Sequence, residues 1–227
     1  REKLLRNKMK KVQNIDFRKV INNFDKETTL IITDPPYNVG WKYDSYKDNM
    51  SEADYLEMFS HFKGFKFVVI HYIEDIIKYI VPHMGVPDKV VQWVYNSNMG
   101  KQHRSIAFFN CKPDFKKAYQ PYKNPNDKRV QKLMENGSKG SKLYDWWNIN
   151  LVKNVSKEKE QYSNQIPEKV IENIINIAAT ENDIIFDPFC GSGTTLAVAK
   201  KLNKKYFGCD VSEIAVDITK KRLQLIR

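Results

Sequence analysis

Short apolar runs alternate with helical repeats on both sides of one long polar stretch, and that alternation limits the possible folds of this chain more than any other feature. Leu30-Ile31-Ile32-Thr33 reads as a buried strand ending at Asp34. Phe65 to Ile70, Lys89 to Tyr95 and Ser105 to Asn110 read as further strands. Ser51 heads a helix, because Ser51-Glu52-Ala53-Asp54 resembles a capping box with Asp54 in the Glu/Gln place. Glu74 to Val81 reads as a helix with Ile76, Ile77 and Ile80 on one face. Regularity returns at Pro167. Glu168 to Ala179 carries Val170, Ile171, Ile174, Ile175 and Ala178 at helical spacing. Then follow a strand at Ile184–Phe186, a helix from Thr194 to Leu202, a strand at Tyr206–Cys209 and a helix from Ser212 to Leu225. Such alternation predicts an α/β fold with a mostly parallel twisted sheet and helices on both faces. With 227 residues, the chain can bury a sizeable core as one domain carrying an insertion.

The polar stretch, residues 112–160, is rich in Lys, Asn, Asp, Gly and Ser, with Tyr119, Tyr122, Tyr144, Trp146 and Trp147 interspersed. A long irregular segment in a compact domain is usually functional or mobile. It holds 12 Lys/Arg against 6 Asp/Glu, so six of the chain's eleven surplus positive charges sit in about a fifth of its length. That concentration suits a polyanionic partner, and a solvated basic surface is the bland alternative. Trp146 and Trp147 read as packed rather than base-stacking. Cys111, Cys190 and Cys209 form no CxxC pair, so reduced thiols and a cytoplasmic location are expected, with no metal site. No apolar run is long enough to cross a bilayer. Arg1 to Lys11 is basic with no apolar run behind it, so no secretory signal is expected; the missing initiator Met suggests further residues ahead of Arg1.

Asp187-Pro188-Phe189-Cys190-Gly191-Ser192-Gly193-Thr194-Thr195 lies between a strand and a helix. Glycines let backbone approach a ligand closely, and a helix start offers free N–H groups. The phosphate-loop pattern fails, because it needs Gly where Pro188 stands and Lys where Thr194 stands. The dinucleotide pattern fails at Leu196, where Gly or Ala is needed. Asp210 ends the next strand, where a carboxylate can accept hydrogen bonds from a ribose diol. A nucleoside-bearing cofactor without a pyrophosphate suits this pair, and S-adenosyl-L-methionine fits that description. A tight turn and a surface carboxylate are the alternative.

Asp34-Pro35-Pro36-Tyr37 also follows an apolar strand, so it too belongs at a carboxyl edge. Two prolines stiffen the turn, and the Pro35 carbonyl can point outward as an acceptor beside Asp34. Tyr37 adds a flat face. Two acceptors and a ring suit an amino group on a planar heterocycle; by itself the string could equally be a rigid turn.

Together these segments resemble the amino-methyltransferases of DNA, which make N6-methyladenine and N4-methylcytosine. Asp34–Tyr37 matches the family's catalytic motif, and Asp187–Thr195 its cofactor motif. Asn164-Gln165-Ile166-Pro167 resembles the segment that contacts the methionine end of the cofactor, with Ile166 where the family often has Lys and Tyr162-Ser163 where it often has His-Pro. Asn14 to Phe17 is a weaker match to the segment bordering the cofactor adenine, through Asp16 and Phe17. The catalytic motif precedes the cofactor motif, as in the permuted, beta-type subgroup. The resemblance runs from about Asn14 to Leu225 and is weakest in 112–160.

The resemblance implies a Rossmann-like methyltransferase fold, a catalytic half over 1–111, a target-recognition region at 112–160, which Gln102, His103 and Arg104 could join, and a cofactor half over 161–227. It implies catalytic Asp34, Pro35, Pro36 and Tyr37. The cofactor would meet Asp16, Phe17, Asn164, Gln165, Pro167, Asp187, Pro188, Phe189, Gly191, Ser192, Gly193, Thr194 and Asp210. It implies double-stranded DNA as partner, direct methyl transfer to a flipped base without a metal, and, because the subgroup often dimerises, a homodimer. Adenine is favoured because Asp heads the loop. N4-cytosine methylation, RNA methylation and non-catalytic nucleic-acid binding stay open as alternatives, although related RNA enzymes usually carry Trp where Tyr37 stands.

Overall fold

The computed structural model describes residues 11–226 apart from 43–45, 98–99, 154–155, 157, 161 and 163. The first ten residues and Ser163 therefore lie outside the described residues. In chain order the elements are β1 (Val12–Asn14), β2 (Thr29–Thr33), α1 (Glu52–Ser60), β3 (Lys66–His71) and α2, which runs from Ile73–Asp75 through a π turn at Ile76–Ile80 to Val81–Met84. Next come β4 (Lys89–Val94), β5 (His103–Phe109), β6 (Tyr119–Gln120), α3 (Lys128–Glu135), β7 (Ser141–Lys142) and β8 (Trp146–Asn148). The chain ends with α4 (Glu168–Ala178), β9 (Ile184–Asp187), α5 (Thr194–Lys201), β10 (Lys205–Asp210) and α6 (Glu213–Leu225).

Eight strands form one sheet in the order β1-β10-β9-β2-β3-β5-β4-β8, and β6 and β7 form a separate two-stranded ribbon. All pairs in the large sheet are parallel except β3 with β5 and β4 with β5. Side chains alternate along each strand, so the sheet has two buried faces. Leu30 and Ile32 of β2 join Val68 and Ile70 of β3 and the apolar side of α4 in one layer. Ile31, Phe67 and Val69 join Tyr55 and Phe59 of α1 and Ile76 and Ile80 of α2 in the other. This is the mostly parallel sheet, buried on both faces, that the alternation predicts, and it agrees with the Rossmann-like fold that the resemblance implies.

Chain order reverses between β2 and β9. From β2 the chain moves through α1 to β3 on one side, and from β9 through α5 to β10 on the other. A crevice outside the carboxyl ends of two such strands is where open α/β sheets bind ligands. Both strands end on an aspartate or at the residue before one, so Asp34 and Asp187 flank that crevice.

Ser51 caps α1 as expected: its hydroxyl accepts from the Asp54 N–H at 3.1 Å and donates to the Asp54 carboxylate at 2.7 Å. Other expectations need correction. Ile77 is 60% exposed, because the π turn rotates it away from the face that Ile76 and Ile80 bury. The polar stretch is not wholly an insertion. β8 extends the main sheet alongside β4, and Ala118, Leu143 and Trp147 enter the core. The strand escapes sequence reading because it is only three residues long. Trp147 is packed at 3% exposure, but Trp146 points to the opposite face of β8, is 52% exposed and stacks on Tyr144. β1 is likewise too short for a periodic signal.

Ile174 is fully buried between α4 and the sheet. Ile174→Ala is expected to lower the unfolding free energy by about 2–5 kcal/mol in urea denaturation. Ile77→Ala, at the exposed position, is expected to stay within about 0.5 kcal/mol of wild type.

Candidate active site

A cavity of about 340 Å³ opens at the β2/β9 crevice. That volume lies within the roughly 300–1,000 Å³ usual for small-molecule sites. Every residue that the sequence marks as catalytic or cofactor-binding lines it except Pro167 and Gly193. Pro167 instead caps α4, its carbonyl accepting from the Val170 N–H at 3.0 Å. The floor between the two strands is tied by one buried contact, in which the Thr33 hydroxyl donates to Asp187 Oδ1 at 3.0 Å.

The Asp34–Tyr37 loop is braced from three sides. The Tyr37 hydroxyl donates to Asp34 Oδ1 at 2.6 Å, and its ring stacks on His71 with centroids 4.1 Å apart. The Tyr55 hydroxyl donates to the Pro36 carbonyl at 2.8 Å and lies 2.9 Å from His71 Nε2. Its single proton goes to the carbonyl, so the imidazole N–H is the donor in that second contact. The Pro36 carbonyl is thus engaged away from ligand, and Asp34 and Pro35 line the cavity beside it. Asp48, 2% exposed, accepts from the N–H groups of Asn38, Val39 and Trp41 at 2.8–3.1 Å and fixes the chain beyond Tyr37. Burial pushes the Asp34 carboxyl above its ordinary range, opposed by the Arg104 charge, the Tyr37 hydrogen bond and His71. Burial also pushes the Tyr37 phenol well up, so it remains a donor.

The glycine turn reverses the chain between β9 and α5. Gly191 and Gly193 hold φ of +48° and +74°, a region that costs other residues strain. A Cβ on Gly193 would lie 2.6 Å from Thr219 Oγ1, and one on Gly191 would meet the Tyr162 ring at 3.0 Å. Arg222, 6% exposed, braces the turn from behind, donating to the Ser192 carbonyl and Thr194 Oγ1 at 3.0 Å each and to Glu168 Oε1 at 2.9 Å. Asp210 accepts from the Gly191 N–H through Oδ2 and the Ser212 N–H through Oδ1, both at 2.9 Å. Each carboxylate oxygen has two lone pairs, so Asp210 can hold the turn and still receive a ligand hydroxyl. Asp187 accepts from Thr33, the Phe189 N–H and Thr195; burial nevertheless drives its carboxyl up to about 7.

At the rim, Asp16 is clamped by Arg18, whose guanidinium Nε lies 3.0 Å from Oδ1 and which holds the carboxyl below its ordinary range. Phe17 stacks on Phe62 and meets Phe189 edge-on, so it joins the glycine turn to the core. Gln165 is buried and engaged internally, accepting from the Glu160 N–H and donating to the Glu158 carbonyl. Asn164 adopts φ of +55° and is exposed.

The ionic lining is acidic within a chain of net charge +11: Asp16, Asp34, Asp48, Asp187 and Asp210 stand against Arg18 and Arg104. A lining of that sign suits a ligand carrying positive charge. Sequence reading missed Arg18, Asp48, Tyr55, His71 and Arg222. Asp48 lies in irregular chain, Tyr55 and Arg222 sit on helices, and His71 ends an apolar strand; none carries a spacing that marks it.

The N6/N4 methyltransferase family model, described as DNA methylase, matches residues 58–221. That span takes in the glycine turn and Asp210 but begins after Tyr37. The type II methyltransferase M.HpaI of Haemophilus parainfluenzae is 30% identical over 226 residues, covering 90% of this chain and 71% of that protein. The type II methyltransferase M1.MboII of Moraxella bovis is 25% identical over 252 residues, covering 91% of this chain and 92% of that protein. Among solved structures, the M1.HpyAVI–SAM complex aligns with a TM-score of 0.63 at 23% identity, covering 96% of this chain and 100% of that one. The cytosine-N4-specific PvuII DNA methyltransferase aligns with a TM-score of 0.66 at 15% identity, covering 93% and 85%.

Tyr55 links α1, β3 and the proline loop through one hydroxyl. Tyr55→Phe is expected to lower stability by about 1–3 kcal/mol in urea denaturation, since it leaves the Pro36 carbonyl without its donor. Tyr119→Phe, at a 46% exposed site, is expected to change it by no more than about 0.5 kcal/mol.

Proposed function

The chain belongs to the N6/N4 DNA methylase family, and on that premise we propose that it transfers the methyl group of S-adenosyl-L-methionine to N6 of an adenine flipped out of double-stranded DNA. One observation carries the reading: the Asp34–Tyr37 loop and the glycine turn line the same acidic cavity at the strand switch. The alternative target is N4 of cytosine. The loop's leading Asp favours adenine, and the likeness to an N4-cytosine enzyme extends to the fold alone.

The residues present fit the cofactor. Gly191 lets the turn and the Tyr162 ring close on the cavity with no side chain between them, Asp210 suits a ribose diol, and Asp187 suits a cationic group. Pro188, Phe189, Ser192, Thr194, Asp16, Phe17, Asn164 and Gln165 complete the wall, while Gly193 and Pro167 act by shaping the turn and α4. When bound, the cofactor supplies an electrophilic methyl group.

An adenine amino nitrogen is a weak nucleophile, because its lone pair is delocalised into the ring. Asp34 and the Pro35 carbonyl would accept hydrogen bonds from its two N–H groups, orient the lone pair and stabilise positive charge as it builds on nitrogen, and the one surplus proton then leaves nitrogen for solvent. Pro36 fixes the loop, and Tyr37 gives the flipped base a ring to stack on. Residues 112–160 make the target-recognition region of a permuted, beta-type arrangement. There Lys128, Arg129 and Lys132 of α3 are exposed, as are Tyr144 and Trp146. Cations of this kind hold phosphates, and exposed rings stack on bases. Residues 1–111 and 161–227 supply the catalytic and cofactor halves, and a homodimer and a cytoplasmic DNA-modifying role go with this reading.

Incubating the protein with methyl-labelled cofactor and duplex DNA is expected to label the DNA, with the label in N6-methyladenine on nucleoside analysis. Asp34→Ala is expected to abolish transfer while leaving cofactor affinity within about threefold of wild type, a factor of roughly 0.65 kcal/mol. Label in N4-methylcytosine would move the reading to its alternative, and label in RNA alone would overturn it.

The Asp187 carboxyl titrates at about 7. A cationic ligand favours its ionised form, so cofactor affinity is expected to rise as pH increases through about 7 and then level off. Binding below that pH should release a proton, measurable by calorimetry in buffers of different ionisation enthalpy. An Asp187→Asn variant should bind more weakly and lose this dependence.

A further inference from the structure

Arg104 stands on β5, two strands away from the proline loop, yet its side chain is only 14% exposed and its guanidinium Nη1 lies 3.5 Å from Asp34 Oδ2. It is gripped by two rings, with its guanidinium carbon 5.1 Å from the centre of Tyr37 and 5.5 Å from that of the fully buried Trp93. Cations pack in this way over aromatic faces. Its Nε is buried without a hydrogen-bond acceptor. A guanidinium held so deep with an unused donor is not placed to satisfy its own hydrogen bonds. What the position does achieve is a full positive charge against one oxygen of Asp34, while the Tyr37 hydroxyl takes the other.

We propose that Arg104 is the positioning residue that keeps the Asp34 carboxylate ionised and oriented, so that Asp34 can accept from the target amino group. The assignment rests on the proposed methyl transfer at this site. A carboxyl protonated in a buried site becomes a donor and cannot take an amino hydrogen. Of the groups facing Asp34, Arg104 brings the strongest opposing charge, and the Tyr37 hydrogen bond and His71 add to it. Tyr37, from the same loop, supplies a neutral hydrogen bond. His71, from the end of β3, stacks on Tyr37 and has Asp75 3.3 Å from its ring. Tyr72 meets Tyr37 edge-on, and Tyr95, beyond β4, adjoins Arg104. On β9, Asp187 bonds Thr33 rather than Asp34. Arg104 also draws its strength from being an always-charged side chain.

The direct test follows the Asp34 carboxyl by carbon-13 NMR through a pH titration of the free protein, assigned with D34N, in wild type, R104Q and R104K. This reading needs neither DNA nor turnover, so it succeeds or fails independently of the methyl-transfer proposal. R104Q is expected to raise the Asp34 midpoint by about one to three units, and R104K to restore most of it. In turnover, the acid limb of the kcat profile should shift upward in R104Q by the same amount, with cofactor affinity unchanged. If R104Q does not fold, R104K carries the test, and a midpoint close to wild type supports the proposal. An Asp34 midpoint unmoved in R104Q, or one that R104K fails to restore, would overturn it. So would faster transfer by R104Q, which would make Arg104 a group that merely fills the place of the base.

Discussion

The parallel pairing of β2 with β9 is the constraint on which the site depends. Thr29–Ile31 register against Ile184–Phe186, strands separated by most of the chain. That register brings two Asp-Pro turns to one edge of the sheet, and the hydrogen bond from Thr33 to Asp187 joins them. Each turn alone is a stiff loop with a carboxylate. Side by side, they line one cavity, which under the proposed function would present acceptors to an amino group on one wall and backbone and carboxylates to a nucleoside on the other. Parallel pairing requires crossover connections, so α1 and α5 lie on opposite faces and leave the carboxyl edge open between them.

Each wall is fixed from outside the cavity by a buried polar group. Tyr55 and His71 hold the Pro36 carbonyl, and Asp48 gathers the N–H groups after Tyr37. Arg222 holds the glycine turn through the Ser192 carbonyl. Buried polar groups without partners are costly, so such fully engaged networks favour one arrangement of the walls. The result is an acidic pocket in a basic protein. Six of the eleven surplus positive charges lie in 112–160, while five aspartates line the cavity.

Much of this was legible in the sequence, and what was not has identifiable causes. Runs such as Leu30–Ile32 and Ile184–Phe186 announce buried strands because burial on both faces demands continuous apolar residues. The two turns were legible through Pro and Gly, whose backbone restrictions are local. β1 and β8 were not, since three residues carry no period and their pairing depends on partners distant in the chain. Ile77 was misread because a π turn changes the helical period without any mark in composition. Arg104 looked like one more cation beside a basic stretch. Only the antiparallel return of β5 along β3 brings it to Asp34. Arg222 was hidden in the same way, as the last of three consecutive cations, Lys220-Lys221-Arg222, on α6.

Under the proposed function the two turns form one reaction site. A crystal structure of the protein with S-adenosylmethionine, or with its unreactive amine analogue and duplex DNA, tests it most directly. A ribose is expected at Asp210, with the sulfonium methyl facing the Asp34 carboxylate and the Pro35 carbonyl and a flipped base whose amino nitrogen lies about 3–3.5 Å from the methyl. A cofactor bound outside the β2/β9 crevice, or one whose methyl points away from Asp34, would contradict it.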